Sequence, residues 1–179
     1  MTKSTLDLKL RRDLYGVNEE ILRNAEIFWS SILPDFEKIV SRFYAHILKH
    51  VEFRKFFLDL ALVDHLKRAQ KTHWDRLFTG RLGDAYVRQV ITTAEAHIKI
   101  RLPTYYYMAA YAFFLDEMHE AAYARFSGKG EDLTAIIKAV NKLIMIDMDL
   151  TLSVYTKRLV RLSTDQTAGD TPQGRAAHA

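Results

Sequence analysis

Histidine is the residue type on which any metal chemistry of this chain depends. The 179 residues include seven histidines and no cysteine, which excludes disulfides, thiolate zinc sites, iron–sulfur clusters and cysteine nucleophiles. A metal ion would have to be held by histidine, carboxylate or tyrosine. Six of the histidines lie among polar neighbours or in the C-terminal tail, where a solvated or locally hydrogen-bonded imidazole is expected: His46, His50, His65, His73, His119 and His178.

His97 differs from the other histidines in its placement. It lies near the end of a predicted helix whose other inward positions are apolar, shortly before Pro103, which cannot continue a helix. An iron ligand has to project from a rigid element into a dry pocket, because water promotes oxidation of ferrous iron. Spacing alone leaves two interpretations open, an iron ligand and a histidine satisfied within the core.

The common catalytic frameworks are absent from the sequence. A ferritin-like di-iron site needs Glu-x-x-His on two helices, and the chain offers only Asp116-x-x-His119 without a second copy. We find no phosphate-binding glycine loop, no His-Glu-x-x-His and no Gly-x-Ser-x-Gly elbow. These residues are therefore not expected to form an enzyme active site.

The elements that position His97 are predicted to be helices. Seven glycines and three prolines are too few for the turns of a β-sandwich or barrel, which favours an all-α fold in one domain. Apolar residues recur at helical spacing between breakers, with Asp84 as a plausible N-cap of the His97 helix. The predicted helices cover part of 1–16 up to Gly16, Asn18 to about Leu33, Pro34 to about Leu48, about Leu62 to Gly80, Asp84 to beyond His97, Pro103 to about Ser127, and Asp132 to about Leu162.

The last predicted helix carries two apolar stripes. One comprises Leu133, Ile137, Val140, Ile144, Met148, Leu152, Tyr155 and Leu159, and the other Ile136, Leu143, Leu150 and Val154. One face can pack on the core, and the other would stay in water unless a second chain covered it. We therefore expect a homodimer built partly on this helix; the alternative is a helix buried deeply within one domain.

Charge and hydropathy point to no nucleic acid and no membrane as partners. The net charge is +4, but Lys and Arg are interleaved with Asp and Glu along most of the chain. No secretory core or membrane-spanning run is visible, so we expect a cytoplasmic protein. Residues 1–163 are expected to form the domain, and the polar residues 164–179 a disordered linker or tail.

Two segments of the sequence resemble the globin-coupled sensors, bacterial proteins that join a haem globin to a signalling output. Residues 80–111, GRLGDAYVRQVITTAEAHIKIRLPTYYYMAAY, place Gly80 with Asp84, Tyr86-Val87, His97, Leu102-Pro103 and Tyr106-Tyr107 in the family pattern. Upstream, RFYAHIL matches as well and contains Phe43-Tyr44. The resemblance extends over roughly residues 18–162.

The resemblance implies a globin fold with an additional N-terminal helix, dimerising through its last two long helices. It also implies haem b with His97 as the proximal iron ligand and Tyr44 as hydrogen-bond donor to oxygen. Phe43 and Leu66 would line the pocket, and Tyr107 would lie beneath the haem or simply pack in the core. Ala69 stands where some members carry a hydroxyl, so a second hydrogen bond to the gas is not expected.

The implied function is that of an oxygen sensor domain, whose haem would also bind carbon monoxide and nitric oxide. Family members continue into an output such as a diguanylate cyclase, a histidine kinase or a chemotaxis region. The full-length protein is expected to be a signalling enzyme, with diguanylate cyclase as the first expectation. Two alternatives stay open: a haem protein for redox chemistry, nitric oxide handling or storage, and a haem-free helical adaptor.

Overall fold

The fold consists of helices joined by short connections. A computed structural model describes residues 7–57, 60–130 and 132–169, with the side chains of 60, 61 and 159–169 left out. The helices are α1 (Leu8–Leu14), α2 (Glu19–Ile32), α3 (Phe36–Ile47), α4 (Val51–Arg54), α5 (Leu60–Thr79), α6 (Asp84–Lys99), α7 (Thr104–Phe126) and α8 (Leu133–Gly169), with a 3₁₀ turn over Leu33–Asp35. Every regular element in these ranges is helical, as the scarcity of glycine and proline predicts.

The predicted breakers lie at the helix boundaries. Gly16 adopts a φ of +60°, a left-handed conformation that suits glycine, directly before α2. Asn18 caps α2 by accepting a hydrogen bond from the Ile21 amide at 2.9 Å. Asp84 was predicted as the N-cap of α6, but the N-cap is Gly83 and Asp84 is the first helical residue. A carboxylate in the first turn still interacts favourably with the helix dipole.

Aromatic side chains from four helices form the centre of the core. Trp29 of α2 stacks on Phe78 of α5 with ring centroids 5.4 Å apart, and contacts Phe36 of α3 edge-on at 4.7 Å. Trp74 of α5 lies 4.9 Å from Phe114 of α7. Tilted and edge-on aromatic pairs add to the free energy gained by burying apolar area. These contacts fix α5 and α7 relative to the N-terminal half of the chain.

Much of both apolar stripes of α8 is covered within the single chain, because α8 packs against α2, α5, α6 and α7. Ile136, Leu143 and Leu150 of the second stripe are buried. The argument that these three residues need a second chain was therefore wrong, and the dimer itself stays a prediction. A helical pattern shows which residues share a face, but it cannot show how many neighbours surround the helix.

The last helix is longer than predicted. It continues to Gly169 instead of ending near Leu162, so residues 164–169 are helical where disorder was expected. Each residue added to an existing helix gains a backbone hydrogen bond, and a polar segment can therefore continue a helix without packing. Residues 170–179 of the predicted tail lie outside the described residues. Within the described ranges, no helix has the length and apolar character needed to cross a bilayer.

Candidate functional site

His97 lies near the C-terminal end of α6 with its side chain half-buried. After it the chain turns sharply: Arg101 adopts a φ of +54°, and the Leu102 amide donates to the His97 carbonyl at 3.0 Å. The imidazole Nδ1 is buried and has no hydrogen-bond partner among the described residues. Desolvation by burial, together with the nearby His73, lowers the pKa of His97 to about 4. The imidazole is therefore neutral at pH 7, which is the form that binds metals.

Tyr44 is buried in the middle of α3. Its ring meets Phe57 edge-on at 5.8 Å and Phe43 at 5.2 Å. Burial raises the pKa of Tyr44 well above its ordinary value, so its hydroxyl stays protonated and can donate a hydrogen bond. None of the hydrogen bonds formed by the described residues uses this hydroxyl, which leaves its donor available.

The residues discussed as neighbours of the haem pocket, Phe43, Leu66 and Ala69, differ in their surroundings. Phe43 is buried, with its ring 4.7 Å from Phe114 and 5.6 Å from Phe113. Leu66 on α5 is half-buried and packs against the core. Ala69, three residues further along α5, is exposed. Phe43 and Leu66 thus offer apolar surface next to the core, whereas Ala69 offers only a methyl group.

Tyr107 contacts His97 directly. Its ring lies 5.7 Å from the imidazole, and its hydroxyl donates to the Tyr111 hydroxyl at 2.9 Å. The two interpretations of Tyr107 are therefore not exclusive, because the ring packs in the core and also forms a wall beside His97. A continuous series of aromatic contacts connects the predicted residues on α3 with His97 through Phe43, Phe114, Trp74, Tyr111 and Tyr107.

A buried polar network adjoins this site and was not predicted from the sequence. At its centre is Asp147 of α8, whose side chain is fully buried. Its carboxylate accepts hydrogen bonds from the hydroxyls of Tyr86 and Tyr111 and, at 3.0 Å, from Nε2 of His73. His73 was expected to be solvated or locally hydrogen-bonded; that prediction was wrong, because its partner is remote in the sequence.

The electrostatics of the network favour an ionised pair. Burial alone would raise the pKa of Asp147, but His73 and the hydroxyl donors Tyr111 and Tyr86 lower it below its ordinary value. Burial would likewise lower the pKa of His73, and the charge and hydrogen bond of Asp147 raise it instead. The positive charge of His73 also disfavours a proton on nearby His97.

One feature of the sequence could have pointed to Asp147. It interrupts the apolar run Leu143–Met148 at a position that shares a helix face with Leu143 and Ile144. A carboxylate on a buried face requires hydrogen-bond donors from other elements, since an unpaired buried charge is very costly. The sequence could indicate that partners exist, but not that they are His73, Tyr86 and Tyr111.

Comparison with known proteins assigns the fold and the family. The family model for protoglobin matches residues 5–161, and the chain belongs to the protoglobin family. The globin domain of a Geobacter sulfurreducens globin-coupled sensor has a similar structure, with a TM-score of 0.75 and 18% identity over 82% of this chain and 96% of that chain. At this identity the likeness shows the fold alone. The predicted all-α globin fold and the resemblance to globin-coupled sensors are thus confirmed, and the matched region is a globin domain, not in itself an enzyme.

The residues present fit a haem, the group that globins generally bind and the basis of gas sensing in this family. His97 presents a neutral, half-buried imidazole whose ring nitrogens bond no other described residue, so that one nitrogen is available to an iron and the other to a supporting acceptor. The ring of Tyr107 lies beside it, and an aromatic face of this kind suits the large apolar faces of the macrocycle. His97 would hold the iron, and Tyr44, Phe43, Leu66 and Tyr107 are the candidates for the pocket around it.

Proposed function

We propose that this domain is a haem-based oxygen sensor in which His97 is the proximal ligand of haem b. A ferrous haem supplies reversible binding of oxygen, and of carbon monoxide or nitric oxide at the same iron. The observation that carries the proposal is the His97 imidazole, which has no hydrogen-bond partner at either ring nitrogen among the described residues and whose pKa is lowered to about 4. The buried Nδ1 of His73 also has no partner, but the Nε2 of His73 bonds Asp147, whereas neither nitrogen of His97 has a hydrogen-bond partner among the described residues.

Tyr44 is proposed as the hydrogen-bond donor to the gas. Bound oxygen carries partial negative charge, and a protonated phenol in a dry pocket stabilises it by about 1 to 3 kcal/mol. The proposal is supported by the burial of Tyr44 and by the raised pKa of its hydroxyl. Carbon monoxide carries less negative charge and should therefore depend less on Tyr44. Phe43 and Leu66 would exclude water, and Ala69 has no hydroxyl with which to add a second hydrogen bond.

We propose that the signal passes through a cytoplasmic homodimer to a C-terminal output domain, with a diguanylate cyclase as the first expectation. Burial of Ile136, Leu143 and Leu150 of the second α8 stripe removes the earlier support for the dimer. What remains is the resemblance to globin-coupled sensors and the exposed apolar side chains Met108, Tyr123 and Met145 on the last two helices. Oxygen can shift such a dimer only if its two arrangements differ in oxygen affinity. An oxygen affinity that is the same in monomer and dimer would contradict this transmission.

The first experiment is absorption spectroscopy of the reduced protein before and after exposure to air. Wild type is compared with His97→Ala and Tyr44→Phe, and with two controls. His119→Ala removes a histidine that bonds Asn141 on the neighbouring helix, and Tyr123→Phe removes an exposed hydroxyl. We expect a stable oxygen spectrum in wild type and both controls, and loss of haem in His97→Ala.

Oxygen dissociation then tests the distal assignment. A hydrogen bond of about 1 to 3 kcal/mol corresponds to a rate increase of roughly 5- to 150-fold in Tyr44→Phe, with little change in Tyr123→Phe. A colourless wild type, purified with haem supplied, would instead favour a haem-free adaptor. An unchanged spectrum in His97→Ala would refute the ligand assignment. Rapid turnover with a reductant would favour a redox protein.

A further inference from the structure

We infer that Asp147 is a positioning residue that couples the His97 pocket to the last helix. The inference deepens the proposed function and rests on it, since it concerns how binding at His97 reaches the rest of the domain. Among the described residues, the carboxylate of Asp147 bonds His73, Tyr86 and Tyr111, and neither the predicted gas donor Tyr44 nor His97. It acts through the side chains that its carboxylate holds.

The carboxylate of Asp147 joins four helices at one point. On α8 it accepts from His73 of α5, from Tyr86 of α6 and from Tyr111 of α7. Because these bonds have preferred directions, a rotation of any one helix changes the geometry at the carboxylate. Apolar packing in the same place would tolerate a small rotation with less change in energy.

Two connections run from Asp147 to His97. In the first, Tyr111 donates to Asp147 and receives a hydrogen bond from Tyr107, whose ring contacts His97 at 5.7 Å. In the second, Tyr86 lies on α6, the helix that carries His97, about three turns before it. A displacement of His97 or a tilt of α6 therefore changes the hydrogen bonds at Asp147 by both connections.

The position of Asp147 within α8 would allow a movement at the network to be transmitted towards the C-terminal end of that helix. From Asp147 the helix continues to Gly169, a further 22 residues (169 − 147), or roughly 33 Å at 1.5 Å per residue. A small rotation at the network is therefore carried along a rigid element to the end of the helix. Core packing beside Asp147 is provided separately by Ile146, which is also fully buried.

The experiment uses the haem-loaded protein and the variants Asp147→Asn, Tyr111→Phe and their combination. Asparagine keeps the shape but removes the charge, and phenylalanine removes the hydroxyl that connects Asp147 with Tyr107. The matched control is Ile146→Ala, which destabilises α8 without removing a member of the network. Three quantities are measured: the iron–histidine stretching band by resonance Raman, the haem dissociation rate, and amide hydrogen exchange of α8 with and without haem.

We expect both single variants to shift the iron–histidine band and to raise haem dissociation by roughly 10- to 100-fold, as for other residues that support a metal ligand. The double variant should show little more than the larger single effect, since both changes interrupt one path. Haem loading should alter hydrogen exchange beyond Leu150 in wild type and in Ile146→Ala, but not in Asp147→Asn.

The outcomes separate this inference from the proposed function. Loss of haem from His97→Ala together with an unshifted band in Asp147→Asn and Tyr111→Phe would overturn the role of Asp147 alone. An equal band shift in Ile146→Ala would overturn it as well, because the effect would then be general destabilisation. If Asp147→Asn does not fold, the position of the iron–histidine band in Tyr111→Phe tests the inference: a shifted band supports it and an unshifted band overturns it. A wild type without haem would overturn both proposals.

Discussion

Burial of a neutral His97 should make the haem-free protein sensitive to mild acid. The pKa of His97 falls from an ordinary value of 6.5 to about 4, first because of desolvation and second because of His73. The unfolded chain therefore binds a proton in a pH range in which the folded protein does not. Stability is fully present above pH 6.5 and is lost as the pH falls towards 4.

The magnitude follows from the size of the pKa shift. A difference of about 2.5 units at 1.36 kcal/mol per unit corresponds to a loss of about 3 kcal/mol between pH 6.5 and pH 4. The neighbouring ion pair of His73 and Asp147 contributes little to the change in stability between pH 6.5 and pH 4. The raised pKa of His73 gives a contribution that is present below 6.5 and is lost only as the pH rises. The lowered pKa of Asp147 gives one that is lost only below about 3.8.

The assay is urea denaturation of the haem-free protein at several pH values between 7 and 4, followed by circular dichroism. His97→Leu should lose about 3 kcal/mol less than wild type over this range. Leu77→Ala, a substitution of a fully buried apolar residue, should lower stability at every pH without changing the pH dependence. An acid loss in His97→Leu as large as in wild type would refute the description of His97 as a buried neutral imidazole.

Three further predictions concern the elements that carry the site, each measured by the same denaturation assay at pH 7. Asn18→Ala should cost about 1 kcal/mol because α2 loses the cap on the Ile21 amide, and Asn18→Asp should retain most of it. Gly16→Ala should cost at least about 1 kcal/mol, since φ is +60° and a Cβ would lie 2.6 Å from Nζ of Lys142. Phe28→Ala should cost about 3 to 5 kcal/mol, because the ring is fully buried against Phe78.

The parts of the fold that could be predicted are those determined by local chemistry. The spacing of Phe36, Ile39, Val40, Phe43, Tyr44 and Ile47 predicts one apolar face, and all six are buried on α3. Gly16, Pro34 and Pro103 restrict the backbone wherever they stand, so the boundaries near them were placed correctly. These signals depend on neighbouring residues alone, and they suffice to position His97 at the end of its helix.

The parts that could not be predicted depend on residues far apart in the sequence. His73 has polar neighbours along the chain, yet its partner is Asp147, 74 residues away. The second stripe of α8 had the pattern of an uncovered face and is buried by its surroundings. Resemblance suggested that Tyr107 lies beneath the haem, but its contact with His97 and the polar network behind it required the packing of the helices to be known.

The polar network around Asp147 stabilises a helical core only at a high cost in desolvation free energy. Taking Asp147 and His73 out of water costs several kcal/mol per ion, and apolar residues of similar volume would often give equal or greater stability. Tyr86 and Tyr111 could pack equally well as phenylalanine. What the charged pair adds is a dependence on helix orientation, because its hydrogen bonds hold only over a narrow range of orientations. If a small change at His97 is passed to another helix, as we propose, that restriction is an advantage which close packing alone would not provide.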